Sequence, residues 1–165
     1  MPSLNASSNP SSNPPLDPLP KPLRNHLFVN LVGLIVAPPR WVRLFALLVV
    51  VAGVAMLFYF GSKPIGGGLF SHPMDKVAHF CAFGSLGAVA WVMLGGQRRW
   101  ADFGAILIVV LVGTADETMQ RFIPTREASL ADLTFDIMGA CVAVCILTFA
   151  RSWFQRKSQS ELLAA

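Results

Sequence analysis

A chain of 165 residues that is 54% hydrophobic and only 13% charged, with a mean hydropathy of +0.57, has more apolar surface than one water-soluble domain can bury. Soluble domains carry about a quarter charged residues, so the composition points to a membrane protein of one domain. The net charge of +4 does not make a nucleic-acid binder, because the basic residues stand at the ends of apolar runs and not along a stripe beside aromatic platforms.

Residues 1 to about 24, MPSLNASSNPSSNPPLDPLPKPLR, are rich in Pro, Ser and Asn and lack aromatics. Such a segment cannot bury enough surface to fold, and a disordered tail is expected. It lacks the basic start followed by an apolar core of a signal peptide. The apolar stretch Leu27 to Ala37 is too short to span a bilayer and ends at Pro38 and Pro39. It reads as an interfacial segment lying on the membrane.

Four longer apolar runs follow, at about Leu44 to Phe60, Val77 to Leu94, Trp100 to Met119 and Leu133 to Ala150. Each is long enough to cross roughly 30 Å of hydrocarbon as a helix. Trp41 and Tyr59 near the ends of the first run read as interfacial anchors. Gly66-Gly67-Gly68 and Gly95-Gly96 mark turns, and the short connections require antiparallel neighbours. The expected fold is therefore all-α, a polytopic bundle of four transmembrane helices. Residues 1–40 form the tail and interfacial segment, 41–151 the membrane domain, and 152–165 a short cytoplasmic tail.

Lys21, Arg24, Arg40, Arg43, Arg98, Arg99, Arg151, Arg156 and Lys157 all fall on one side of this topology. The positive-inside rule makes that side cytoplasmic, with both termini of the multi-pass chain inside. Cys81, Cys141 and Cys145 show no CxxC or Cys/His zinc spacing and read as small buried hydrophobes. No cofactor is expected.

The outer ends carry a dense polar set. Asp75, Lys76 and His79 open the second run; Asp116, Glu117, Gln120 and Arg121 close the third; Arg126, Ser129, Asp132 and Asp136 lead into the fourth. A charge in hydrocarbon costs roughly 2.5–3.5 kcal/mol on insertion scales, so such residues face a bundle interior or a wet cavity. Asp75 and His79 share a helix face, as do Glu117 and Gln120 with Gly113, and Asp132 and Asp136 with Gly139 or Ala140. Small residues on the same stripes predict that these faces pack inward.

The strings Asp75-Lys76-x-x-His79-Phe80, Asp116-Glu117-x-x-Gln120-x-Phe122-x-Pro124-x-Arg126 and Ser129-x-x-Asp132-x-x-x-Asp136-x-x-Gly139, in this order between apolar runs, resemble the VanZ-like family of small bacterial membrane proteins over about Val42 to Ala150. The chain differs in having Asp136 where Asn is common and Thr125 where Gly often follows the Pro. The resemblance implies a role at the cell envelope, the name-giving members being associated with lowered sensitivity to the glycopeptide teicoplanin. It brings no catalytic mechanism.

The residues themselves leave several roles open. Ser129-x-x-Asp132 reads as a capping box, Ser71-x-Pro73-x-Asp75 as a helix start, and Arg121 as complementing the negative pole of the third helix. Lys76, Arg121 and Arg126 are expected to neutralise acids in an internal salt-bridge network. Asp75–His79 is a candidate acid–base pair. A metal site of His79, Asp75, Glu117, Asp132 and Asp136 fits by ligand type but lacks a dedicated spacing, and no metal is expected. The outer N-termini of the second and fourth helices suit an anionic group. Asp75-x-x-x-His79 and Asp132-x-x-x-Asp136 suggest a degenerate parallel repeat of hairpins. Three functions compete. The first is a non-enzymatic envelope protein binding a lipid, a glycopeptide-type ligand or another membrane protein, a second copy included. The second is a membrane-embedded enzyme acting on a lipid-linked phosphate or sugar. The third is a proton-coupled carrier using Glu117 and Asp136. The lack of a nucleophile or phosphate-binding motif ranks binding first, and whether there is catalysis stays open.

Overall fold

The computed structural model describes residues 33–63, 74–124 and 128–163. The tail expected to be disordered, the expected turn at Gly66-Gly67-Gly68, the expected helix start at Ser71 and Pro73, and Arg126 lie outside the described residues. Four long helices follow one another: α1 Arg40–Gly61, α2 Met74–Met93, α3 Arg99–Gln120 and α4 Leu130–Leu163. They coincide with the four apolar runs to within about a turn at every end except the C-terminal end of α4.

Of the interfacial stretch, the described part makes one helical turn at 33–36, closed by Ala37 N–H on Gly33 O at 2.8 Å. Pro38 and Pro39 end it, and Pro39 is also the extended N-cap of α1. Proline has no N–H for a helix interior but fits a helix start. Val36 is buried, so this turn rests on protein as well as facing outward.

Among the described residues, three helices are long and apolar enough to cross a membrane: Arg40–Gly61, Met74–Met93 and Leu130–Lys157 of α4. α3 has the length of α1 but carries Asp102 in its first turn and Asp116 and Glu117 near its end. Large apolar side chains such as Phe103, Leu107, Phe149 and Leu48 are exposed on the outside of the bundle, as lipid contact requires. The membrane is thus the environment of this chain. Cys81 and Cys145 are exposed and Cys141 is half-buried, so they are not the buried core residues expected. Their helical faces point away from the packed interior.

The core sets small residues around two large ones, Trp91 and Phe83. Trp91, Ala90, Ala101, Ala105, Val50 and Val144 form one buried cluster, and Phe83, Val109 and Ala140 a second. α2 packs most extensively on α4, and the two run parallel. Their backbones touch where Gly84 meets Gly139: a Cβ on Gly139 would collide with the carbonyl oxygen of Phe80. Small residues permit the close van der Waals approach that drives helix association in lipid.

Between α2 and α3, Gly95 adopts φ +84°, a left-handed turn that glycine accommodates without strain. Arg43 of α1 donates to Met93 O at 3.1 Å, satisfying a carbonyl at the end of α2. α4 does not stop at residue 151 as a short tail would. It continues to Leu163 as a helix of 34 residues, because 151–163 contains neither Gly nor Pro. At 1.5 Å per residue it is about 50 Å long and outreaches a hydrocarbon layer of about 30 Å.

Candidate functional site

Because α2 and α4 start together, their first turns face each other at one end of the bundle. The ammonium of Lys76 donates to Asp132 Oδ1 at 2.9 Å, and His79 Nδ1 stands 2.9 Å from Asp136 Oδ1. Of the two polar pairs suspected of being a repeat, His79 and Asp136 are partners across the helices, while Asp132 is taken by Lys76 and not by Asp75. His79 is fixed further by stacking on Phe83, with centroids 5.9 Å apart and planes 5° from parallel. Asp136 is fully buried. Its carboxylate fits because α3 presents Gly113 opposite it: a Cβ there would lie 2.9 Å from Asp136 Oδ2.

α3 brings the remaining members. Gln120 Nε2 donates to Asp116 Oδ2 at 2.7 Å, and the backbone N–H of Ser129 donates to Glu117 Oε2 at 2.6 Å. Asp116, Glu117, Gln120, Asp132 and Asp136 are all buried, so their faces point inward as the small-residue stripes predict. Glu117 Oε1 and Asp136 Oδ2 are buried without a hydrogen bond to any described residue.

Some expectations change. His79 is paired with Asp136 and not with its turn-mate Asp75, because residue 136 enters from the neighbouring parallel helix at the depth of His79. The reciprocal capping box is not formed: the Ser129 N–H goes to Glu117 and the Asp132 carboxylate to Lys76. Of the basic residues expected in the network, Lys76 is engaged. Arg121 is exposed at the C-cap of α3, where it complements the helix dipole. Asp75, His79 and Asp132 offer ligand atoms within 4.8 Å of one another. The chemistry suits a divalent cation, but the Lys76 ammonium already stands against Asp132 and would compete with it.

A cavity of ≈ 900 Å³ runs between α1 and α2 and reaches this cluster. Its walls are apolar along most of their length, with Val50, Met56 and Leu57 on α1 and Phe83, Leu86 and Val89 on α2. Lys63, Asp75, His79 and Asp116 line it as well, at the polar end of the bundle.

A second polar network, not foreseen from the sequence, closes the opposite end. Asp102 accepts from Trp91 Nε1 at 2.6 Å, from Thr148 Oγ1 at 3.2 Å and from Arg151 at 3.3 and 3.1 Å. Arg151 also donates to Gly96 O at 2.7 Å. A signal was present: a lone acid one turn inside an apolar run requires a partner. Arg151, read only as a topology marker, is that partner across 49 residues.

A family model described as VanZ/LLP1 matches residues 24–151. The chain belongs to the VanZ/LLP1 family. The match starts ahead of the motif-bearing part, so the VanZ/LLP1 segment takes in the short 26–40 stretch along with the helices. Nothing matches among curated proteins or among solved structures. In this VanZ/LLP1 chain the three motif segments quoted from the sequence meet at one end of the bundle, apart from the exposed Arg121 and the residues not described.

Proposed function

We propose that this VanZ/LLP1 protein crosses the bacterial inner membrane four times, α3 included, with both termini cytoplasmic and the polar cluster at the outer face. It works there as a binding protein for an envelope amphiphile, such as a lipid or a lipid-like glycopeptide. The observation that carries the reading is the cavity between α1 and α2, apolar along its length and ending on Asp75, His79 and Asp116. An elongated apolar slot with a few polar groups at one end fits an acyl chain with a head group. The ion pairs behind it hold the mouth rigid. The basic residues at the other end support the orientation.

The test is lipid retention by the full chain extracted in polymer-bounded native discs and analysed by native mass spectrometry. A discrete, stoichiometric amphiphile is expected. Gly53 lines the slot and has open space where a Cβ would be, so Gly53→Trp fills it without disturbing the helix contacts and is expected to abolish retention. Retention unchanged in Gly53→Trp would refute the reading.

A further inference from the structure

At the polar end of the slot, most charged groups are already committed. Lys76 is held by Asp132, His79 by Asp136, and Gln120 and the Ser129 N–H occupy Asp116 and Glu117. Two lining groups of opposite sign are not. Lys63, just past the end of α1, is exposed, and its ammonium touches only the ring of Tyr59, 4.8 Å from the centroid, among the described residues. Asp75, in the first turn of α2, is half-buried, and no hydrogen bond or ion pair to a described residue engages its carboxylate. The slot thus presents one open cation from one wall and one open anion from the other.

We propose, resting on the amphiphile reading above, that the occupant is a phospholipid whose zwitterionic head group carries a primary amine. Its phosphate lies on Lys63 and its ammonium on Asp75. Charge complementarity selects this class. A purely anionic head group would meet Asp75 and Asp116 on the slot wall, and like charges placed together cost affinity. A quaternary ammonium offers no N–H to a carboxylate and is held instead by aromatic faces. Lys63 already occupies that of Tyr59. A primary ammonium donates charge-assisted hydrogen bonds to Asp75, the stronger kind.

The experiment uses the full chain in nanodiscs doped with three lipids that share one photoreactive acyl chain: phosphatidylethanolamine, phosphatidylcholine and phosphatidylglycerol. Crosslinks are mapped by mass spectrometry. Labels on the α1–α2 walls are compared with those on the outward face of α3 at Phe103, Leu107 and Leu111. Phosphatidylethanolamine is expected to label the slot roughly tenfold above the other two, the discrimination of one charge-assisted contact of about 1.4 kcal/mol. Asp75→Asn is expected to remove that preference. Lys63→Gln, which loses a phosphate contact common to all three lipids, is expected to lower slot labelling by all three alike. Lys63 is exposed beyond the helix end, so Lys63→Gln leaves the fold intact and keeps its contact testable if Asp75→Asn expresses poorly. Equal slot labelling by all three lipids overturns the head-group assignment and leaves the amphiphile reading standing. A preference that survives Asp75→Asn, or slot labelling that Lys63→Gln does not lower, overturns the assignment to these residues. Slot labelling no higher than that of the α3 face, for every lipid, overturns the underlying reading as well.

Discussion

One carboxylate at each end of the bundle ties helices together, Asp136 fully buried and Asp102 half-buried. Asp136 accepts from His79 at the polar mouth, and Asp102 accepts from Arg151, Trp91 and Thr148 at the other end. Asp136→Ala strands the imidazole N–H, and a buried unsatisfied donor costs roughly 1–3 kcal/mol. Asp136→Asn keeps an oxygen for the same donor. Thermal unfolding in detergent is therefore expected to show a clear drop for the alanine variant and little change for the asparagine one. Arg151→Ala leaves the half-buried Asp102 without its counter-ion, a loss of about 1–3 kcal/mol, below that of a fully buried pair. Asp102→Asn combined with Arg151→Met is expected to cost less than Arg151→Ala alone, which a double-mutant comparison of unfolding midpoints checks. The sequence made the buried acids legible, since Glu117, Asp132 and Asp136 share stripes with glycine and alanine. It did not reveal their partners. Spacing along one helix shows only neighbours one turn away, which favours Asp75 for His79, whereas the actual acceptor lies 57 residues on.

The helices themselves follow from composition, since long apolar runs bounded by charges, proline and glycine have few other solutions in lipid. Their existence and approximate ends were readable. The continuation of α4 was less so, because an absence of breakers is a quieter signal than their presence. The order of packing was not readable, because small residues occur on several faces. The α2–α4 contact is the tightest, and it rests on Gly139 against the Phe80 carbonyl. Gly139→Leu is expected to drive these helices apart, reducing folded yield severely and releasing the Lys76–Asp132 and His79–Asp136 contacts together. Gly53 of α1 meets nothing, and Gly53→Ala is expected to be neutral or to stabilise by up to about 1 kcal/mol, glycine being the poorer helix former. Size-exclusion profiles and melting curves of the two variants measure the contrast.

For the whole molecule, the orientation proposed from the basic residues has a direct check. In a cysteine-free background, Ser62→Cys is expected to react with an impermeant maleimide in intact cells, and Ser160→Cys only after lysis; both serines are exposed. The reverse pattern would place the polar mouth in the cytosol. Parallel pairing of α2 with α4 also has a consequence for biogenesis. Translation delivers the bundle in sequence, so Lys76 and His79 enter the bilayer before the carboxylates that will neutralise them exist. α4 in turn must leave the insertion machinery carrying Asp132 and Asp136. Neither half is at ease in lipid until the last helix docks on its older sibling. A nascent chain halted before residue 130 therefore holds Lys76 and His79 without Asp132 and Asp136, and is expected to turn over faster than the finished chain.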